Sequence, residues 1–416
     1  MPNSDSSAPA SSTPAAEAAA PVLTPLAAPR DGIPEVIDTA PALRRAVRAL
    51  EAGTGDLAVD TERASGFRYG QRAFLLQIRR DGSGTWLIDP ETLDDLAPLR
   101  EFVNQQPWIL HAATQDLPCL HELGMSPTSL FDTEMAGRLA GFPRVSLGTM
   151  VGELLGLQLA KEHSAVDWST RPLPESWLNY AALDVEVLEE LRQAIAQVLE
   201  EQGKLEFARQ EFEHERTLPD PVPAETPWRK LSGIHKLKSR RNLAVARELW
   251  ISRESLAQSR DVAPGRLIPD RAIMAAVEQR ATSVPALLQI PGFHTRNAKR
   301  DAARWVDAIQ RGNSTRDLPD LRAPKNGLPH PRSWAEKNPD AANRLEAAKQ
   351  VVNDVSEQWN IPGENLLTPK YLREVCWNAP ARISEASVAD MLENLGARQW
   401  QRELLSDKLA AALKQA

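Results

Sequence analysis

The stretch Leu57–Glu62, with the sequence LAVDTE, contains the pattern that most constrains the fold of this chain. Three apolar residues predict a buried strand, and two carboxylates follow at its end. Because residues two apart on a strand point to the same face, Asp60 and Glu62 lie side by side, with Thr61 opposite. Adjacent buried carboxylates repel each other, and a divalent cation with oxygen ligands would remove that repulsion. A solvated strand end remains the alternative for this motif alone.

The sequence around this stretch predicts a mixed β-sheet flanked by helices. Two strand-like runs at 73–78 and 85–88 are separated by Gly and Asp residues, which is typical of a hairpin. Apolar spacing predicts a short buried strand at 108–110. It also predicts helices at 41–52, 93–102, 117–123, 135–139 and 147–155, and one long helix from about 175 to 201.

Three further residues are candidates for the same chemistry. Asp116 follows the short strand at 108–110, and Tyr180 and Asp184 lie four residues apart on the long helix, so they share one of its faces. A phenol beside a carboxylate is suited to holding a water molecule close to a metal ion. Each feature alone has an ordinary structural explanation: a helix N-cap or an acid in the first helical turn for Asp116, and a surface pair for Tyr180 and Asp184.

The order and context of these motifs resemble the DEDD 3′→5′ exonucleases, specifically the tyrosine-bearing subgroup and, within it, the ribonuclease D family. Asp60 and Glu62 match the first motif, Asp116 the second, and Tyr180 with Asp184 the third. The resemblance covers about residues 35–200 and includes the stretches 87–90, 110–112, 131–133 and 164–173. Two residues depart from the family pattern: Arg63, where an apolar or small residue is expected, and Gln115, where a charged residue is frequent.

This resemblance implies an RNase H-like α/β fold and hydrolysis of phosphodiesters with two divalent cations, Mg²⁺ or Mn²⁺. Asp60 would contact both ions, Glu62 and Asp184 would complete the site that activates water, and Asp116 would hold the second ion. Tyr180 would orient the attacking water. Two cations about 4 Å apart can activate the water and stabilise the leaving oxygen.

Charge is distributed unevenly along the chain. The net charge is −7, but residues 228–312 contain 17 Lys and Arg against 7 Asp and Glu. A basic segment in an acidic chain indicates a module that binds a polyanion, although an Arg-rich helical domain without that function is the alternative. Four of its residues are candidate contacts to nucleic acid, namely Lys236, Lys238, Arg240 and Arg241. In the first domain, Lys161 and Arg171 are further candidates, and a solvated loop charge is the alternative.

The motifs at 246–250, 264, 268–270 and 288–293 make the residues from 228 to 312 resemble an HRDC domain. The residues after about 331 look like a second, less basic copy. The motif at 262–270 can be laid on that at 361–370, and each is preceded by a helix. We therefore predict an all-α region of HRDC-type domains after the exonuclease domain. The predicted boundaries are a disordered Ser/Ala/Pro-rich tail at 1–34, the exonuclease domain at 35–215, a linker at 216–227, a helical domain at 228–312, a linker at 313–332 and a second helical domain at 333–416.

These observations predict a 3′→5′ exoribonuclease that trims RNA such as tRNA precursors. A 3′→5′ DNA exonuclease and a non-catalytic RNA-binding protein are the alternatives, since one sequence shows no contact to a 2′-hydroxyl. The chain has no apolar run long enough for a membrane span and no basic-then-apolar signal segment. Cys119 and Cys376 suggest neither a disulfide framework nor a zinc site. We expect a cytoplasmic monomer.

Overall fold

The computed structural model describes residues 22–160, 166–322 and 327–416. Lys161, one of the predicted substrate contacts, lies outside these described residues. The strands are β1 (Thr24–Leu26), β2 (Val36–Ile37), β3 (Thr54–Arg63), β4 (Ala73–Asp81), β5 (Gly84–Ile88), β6 (Trp108–Leu110), β7 (Leu130–Asp132) and β8 (Leu157–Leu159).

The helices divide into three groups along the chain. The first domain, which the sequence predicts to be an exonuclease domain and which we call by that name, contains α1 (Ala40–Ala52), α2 (Ala97–Val103), α3 (Leu117–Glu122), α4 (Thr133–Ala140), α5 (Leu147–Leu155), α6 (Glu175–Glu186), α7 (Leu188–Glu201) and α8 (Leu205–Thr217). The first helical domain contains α9 (Arg240–Arg260), α10 (Pro264–Leu267), α11 (Asp270–Glu278), α12 (Val284–Leu288), α13 (Arg296–Arg300) and α14 (Ala302–Ser314). The second contains α15 (Trp334–Lys337), α16 (Pro339–Trp359), α17 (Gly363–Leu366), α18 (Pro369–Trp377), α19 (Glu385–Leu395) and α20 (Gln399–Gln415).

The exonuclease domain is built on a six-stranded mixed sheet with the order β2-β5-β4-β3-β6-β7. β3, β4 and β5 pair antiparallel as the predicted meander, and β3 also pairs parallel with β6. The central strand therefore carries the LAVDTE motif. Its register places Asp60 opposite Gln77 and Glu62 opposite Leu75. The mixed α/β fold predicted from the sequence is confirmed.

Alternation along the strands gives the sheet two buried faces. One face packs against α1 and α2 through a core that includes Leu43, Val59, Ile78 and Leu99. On the other face, Leu75 and Leu87 pack with Ala181 and Ala182 of α6. That second face also carries Asp60 and Glu62, because they alternate with Val59 and Thr61. The carboxylates of β3 are thereby directed toward α6.

The single long helix predicted from 175 to 201 is wrong, because the structure contains two helices that meet at Val187. The backbone there has φ −102° and ψ −5°, and its N–H bonds to the carbonyl of Val185. The first helix crosses β3, β4 and β5, whereas the second packs on α4 and α5. Because of this break, the apolar residues of the first helix pack against the sheet and those of the second pack against α4 and α5.

Part of the predicted N-terminal tail is ordered onto the exonuclease domain. β1 pairs in parallel with β8, so a disordered segment reaching residue 34 is wrong for residues 22–34. The Leu23 side chain lies over Gly152, and Arg30 forms a two-pronged ion pair with Glu190. Composition alone missed this segment, because a short apolar strand among Pro and Ala residues needs its partner strand to be recognised.

The two helical domains repeat one pattern of helix lengths. A helix of 21 residues, α9 or α16, is followed by one of 4 and one of 9 residues in each domain. Each long helix ends at a residue with left-handed backbone, Asp261 or Asn360. This repeated pattern supports the internal duplication, which stays a prediction.

The two domains are attached to the exonuclease domain in different ways. The first has a hydrophobic core of its own, centred on residues such as Leu249, Phe293 and Trp305. The second shares one continuous core with the exonuclease domain, across which Phe207 stacks on Trp400 with ring centroids 4.8 Å apart. Every helix in the described part of the chain is too short or too polar to span a lipid bilayer.

Candidate active site and nucleic-acid interface

Three carboxylates meet where β3 ends beneath α6. Asp60 and Glu62 come from the strand and Asp184 from the helix, and one oxygen of each lies within 4.8 Å of the others. The strand periodicity of two and the helix crossing together bring the first and third sequence motifs into contact. The described residues of this group fit a divalent cation, because hard cations prefer several carboxylate oxygens.

Asp116 lies beside this group, at the start of α3. It occupies the N-cap position, but its side chain makes no capping hydrogen bond, so the N-cap explanation is wrong. Its Oδ1 instead accepts a hydrogen bond from the Thr61 hydroxyl at 2.7 Å and lies 3.4 Å from Nη1 of Arg63. Asp116 is thus held at the wall of the same cleft.

Burial and mutual repulsion perturb the acids of the site. The pKa of Asp60 is raised well above its usual value, first by desolvation and then by the charges of Asp116 and Asp184. Desolvation and the Asp60 charge raise the pKa of Glu62 in the same way. Burial raises the pKa of Asp116 to about 6, against the opposing effects of Arg63 and Thr61. Clustered carboxylates with raised pKa values are typical of functional sites.

Tyr180 lies one helical turn before Asp184 and is hydrogen-bonded to it. Desolvation, followed by the charges of Asp184 and Glu62, raises the pKa of the Tyr180 phenol above its usual value. The phenol therefore keeps its proton at neutral pH and can donate a hydrogen bond. The structure brings together all five residues that the sequence singled out for the active site.

The cleft that contains these residues has a volume of about 720 Å³. Its other walls include His111 and residues 145–149 and 158–160. Burial lowers the pKa of His111 to about 4, and its Nδ1 is 2.8 Å from the Thr133 hydroxyl, so this imidazole is neutral at physiological pH. Sequence reasoning assigned no role to His111 or Arg63, although both stand within or beside recognised motifs.

Arg171 does not face the cleft as a free phosphate-binding cation. Its guanidinium donates to the carboxylate of Asp89 and to the carbonyl oxygens of Phe74, Trp168 and Thr170. The Asp89 side chain is 1% exposed. The predicted phosphate contact is therefore corrected: Arg171 neutralises a buried acid and ties the loop before α6 to the sheet.

Two of the four basic candidates in the first helical domain are also occupied. Arg240 donates to the carbonyls of Leu318 and Pro319, and Arg241 donates to those of Gly312 and Thr315. These hydrogen bonds fasten the segment that follows α14. They do not support the assignment of Arg240 and Arg241 as phosphate contacts, which stays a prediction. Lys236 and Lys238 are exposed, and Lys238 donates one hydrogen bond to the carbonyl of His235. An ammonium group has three donors, so both lysines can still bind a polyanion.

Sequence comparison assigns each domain to a known family. Residues 34–200 match the family described as 3′-5′ exonuclease, and residues 242–309 match the HRDC domain. Residues 327–413 match the family described as 3′ to 5′ exonuclease C-terminal domain. The second helical domain, which we predict to be HRDC-like, thus matches a family of its own. Exonuclease domains of this kind use divalent metal ions, in agreement with the acidic cluster.

Whole proteins give a consistent result. The chain is 30% identical to ribonuclease D of Granulibacter bethesdensis over 295 residues, which covers 68% of this chain and 71% of that protein. It is 32% identical to ribonuclease D of Gluconacetobacter diazotrophicus over 56% of this chain, an alignment that spans 59% of that relative's length. A crystal structure of a protein from Bifidobacterium adolescentis matches with 37% identity and a TM-score of 0.85, and the match covers 94% of this chain and 100% of that one. The chain therefore belongs to the ribonuclease D family, with a 3′-5′ exonuclease domain followed by two helical domains.

Proposed function

We propose that this chain hydrolyses phosphodiester bonds one nucleotide at a time from the 3′ end of RNA. The observation that supports this most directly is the meeting of Asp60, Glu62 and Asp184 within 4.8 Å, with Asp116 beside them. A phosphodiester carries a negative charge, and hydrolysis places more charge on its oxygens. Four carboxylates can act on such a substrate only with bound cations, which makes a metal-dependent mechanism the natural function of this site.

In this proposal Asp60, Glu62 and Asp184 hold one divalent ion, and Asp60 with Asp116 holds a second. Bound Mg²⁺ or Mn²⁺ would lower the pKa of water and stabilise charge on the leaving oxygen. The protonated Tyr180 phenol positions the water through its hydroxyl, because it lies on the same helix face as Asp184. Thr61 keeps the Asp116 carboxylate oriented toward the cleft.

The substrate class follows from the family and from the distribution of charge. The relatives are named ribonuclease D, and the exposed Lys236 and Lys238 add cations that neutralise phosphates without reading sequence. We infer that single-stranded 3′ ends of structured RNAs, tRNA precursors among them, are the substrates. DNA is the second candidate, because the four carboxylates make no distinction between the two sugars. A cytoplasmic monomer stays our prediction.

The test uses RNA with a 3′ overhang and the matching DNA, each labelled at the 5′ end, with Mg²⁺, with Mn²⁺ and with a chelator. We expect a metal-dependent ladder that shortens the RNA from its 3′ end, and loss of that ladder in Asp60→Asn. The matched control is Asp94→Asn, an exposed acid outside the cleft, which should cleave like the wild type. Preferential shortening of DNA would move the assignment to a DNA exonuclease. If the protein binds RNA but cleaves it with neither metal, the chain would be assigned as an RNA-binding protein.

A further inference from the structure

Arg63, one of the two residues that depart from the family pattern, lines the cleft of the carboxylates and is partly exposed to solvent. The register of β3 shifts between Glu62 and Arg63, and the side chain lies on the same side as Thr61, next to Asp116. Its Nη1 donates to the carbonyl of Gln115 and lies 3.4 Å from the Asp116 carboxylate. Among the described residues, no other hydrogen bond uses its guanidinium, and the side chain is 24% exposed.

The position of Arg63 connects two clefts. It lines the active-site cleft and also a neighbouring cleft of about 590 Å³, whose walls include Ser65, Gln71 and Val166. Phe67 continues this second cleft into a third, which is bordered by Arg266 and Asn297 of the first helical domain. These adjacent clefts, which share Arg63 and Phe67 as lining residues, extend from the first helical domain toward the carboxylates, and we call the series the groove.

Arg63 is a positive charge in two clefts that are otherwise lined by acidic and uncharged described residues. Of the described residues that line the first two clefts, Arg63 is the sole Lys or Arg, whereas Asp60, Glu62, Asp116 and Asp184 all line the first. A nucleic-acid strand carries a negative charge at every phosphate, so it is repelled there unless a cation faces it. A planar guanidinium can bind a phosphate through two parallel hydrogen bonds. The contacts with Gln115 and Asp116 use one nitrogen and hold the group at the groove.

We propose that Arg63 binds the phosphodiester on the 5′ side of the scissile bond, at the entrance to the active site. This inference rests on the proposed function, since it takes the strand to enter along the groove with its 3′ end at the carboxylates. Asp116 acts as a tether that orients the guanidinium before the substrate arrives. Arg63 is then a substrate-binding residue that this chain has in place of the apolar or small one typical of the family.

Binding without catalysis tests the proposal. The affinity of a 5′-fluorescein single-stranded RNA octamer is measured by anisotropy in chelator at several KCl concentrations, for wild type, Arg63→Ala, Arg63→Lys and Arg209→Ala. Arg209 is an exposed cation remote from the groove, with a side chain that is 66% exposed. We expect Arg63→Ala to raise Kd about 5- to 20-fold and to lower the slope of log K against log [salt] by about one. Arg63→Lys should recover part of the affinity, and Arg209→Ala should bind like the wild type.

Neutral methylphosphonate linkages locate the phosphate. Replacing the first phosphodiester on the 5′ side of the terminal linkage should weaken binding to the wild type and leave binding to Arg63→Ala unchanged. Equal losses of affinity in both proteins would overturn the proposal. An unchanged Kd in Arg63→Ala together with an altered Mn²⁺ affinity would also overturn it, and would show that Arg63 acts only on the Asp116 carboxylate. A wild type that binds RNA through Arg63 but cleaves nothing would instead contradict the proposed function.

Discussion

Asp261 and Asn360 occupy equivalent corners of the two helical domains, and each corner docks its domain onto the exonuclease domain. Both residues end a 21-residue helix in the left-handed region, with φ 49° and 46°. Asp261 accepts two hydrogen bonds from the Arg72 guanidinium, at 2.9 and 2.7 Å. Asn360 lies against Gly141, and its carbonyl accepts from the buried Lys204 ammonium. The duplicated domains thus reuse one corner with different contact chemistry, an ion pair in the first and close backbone packing in the second.

Replacing Asp261 by Asn should loosen the first helical domain. Asn tolerates the left-handed backbone, so the substitution removes the charge without adding strain. The pair is partly exposed, so the expected loss of docking free energy is about 1 kcal/mol. The hydrogen bond from Arg72 lowers the pKa of Asp261; its contribution is therefore present above the ordinary pKa of 3.8 and is lost as the pH falls through the lowered value. Limited proteolysis should cleave the variant faster than the wild type within the connecting segment 218–226. An unchanged rate of cleavage would show that other contacts hold the first helical domain in place.

Replacing Gly141 by Ala should displace the second helical domain. A Cβ at this position would lie 2.1 Å from Nδ2 and 2.5 Å from the carbonyl oxygen of Asn360, and the glycine has φ +84°. Backbone strain and overpacking together should cost about 2–4 kcal/mol of unfolding free energy. Gly148, which has no atom within 4 Å of a built Cβ, is the control. Its change to Ala within α5 should be neutral or stabilising by up to about 1 kcal/mol. Urea titration followed by circular dichroism compares the two, and similar midpoints would contradict the close approach.

Arg171→Ala should lower stability while leaving RNA affinity unchanged. The substitution removes the hydrogen bonds that the guanidinium donates to the buried Asp89 carboxylate and to three carbonyl oxygens. Removal of one partner from a buried ion pair costs about 3–5 kcal/mol, and the partial exposure of Arg171 places the expected loss at the lower end. Thermal melting and RNA anisotropy are measured on the same preparations. A large rise in Kd with an unchanged melting temperature would restore the phosphate contact that the sequence suggested.

Local periodicity explains why much of the active site could be predicted from the sequence. Asp60 and Glu62 share a face because a strand repeats every two residues, and Tyr180 and Asp184 share one because helix positions four apart are neighbours. These relations need no knowledge of the tertiary fold. The remaining step, the meeting of β3 with α6, came from the family resemblance rather than from the residues themselves.

Long-range contacts explain what the sequence did not predict. Arg171, Arg240 and Arg241 have the same appearance in sequence whether they face a phosphate or a carbonyl oxygen. Each has partners about 70 to 100 residues away, although Arg171 also bonds to the nearby carbonyls of Trp168 and Thr170. The fold therefore decides between these roles. The break at Val187 could not be predicted for a similar reason. The apolar spacing before and after Val187 does not show which surface each helix will pack against.

Arg398→Met should destabilise the junction between the exonuclease domain and the second helical domain. Glu211 of α8 accepts hydrogen bonds from Nε of Arg398 at 2.7 Å and from Nε1 of Trp400 at 2.8 Å. Glu211 is buried and Arg398 is largely buried, with side chains 5% and 14% exposed. Loss of the cation leaves a buried carboxylate, at a cost of about 3–5 kcal/mol. The double variant Glu211→Gln with Arg398→Met should recover part of this loss, and strict additivity in chemical denaturation would contradict direct coupling.

Metal binding should release protons, and more of them at pH 6 than at pH 8, because burial raises the pKa of Asp116 to about 6. The pKa values of Asp60 and Glu62 are raised well above their usual values by desolvation, so the folded metal-free protein retains protons there that the unfolded chain has lost. Its stability from these groups therefore falls as the pH rises toward the raised pKa values. A divalent ion requires ionised carboxylates, so its affinity should increase over the same range. Calorimetric titration with Mn²⁺, in two buffers of different ionisation enthalpy, counts the protons. Asp60→Asn should release fewer protons than the wild type, and a proton count of zero at both pH values would show that these carboxylates are already ionised before the metal binds.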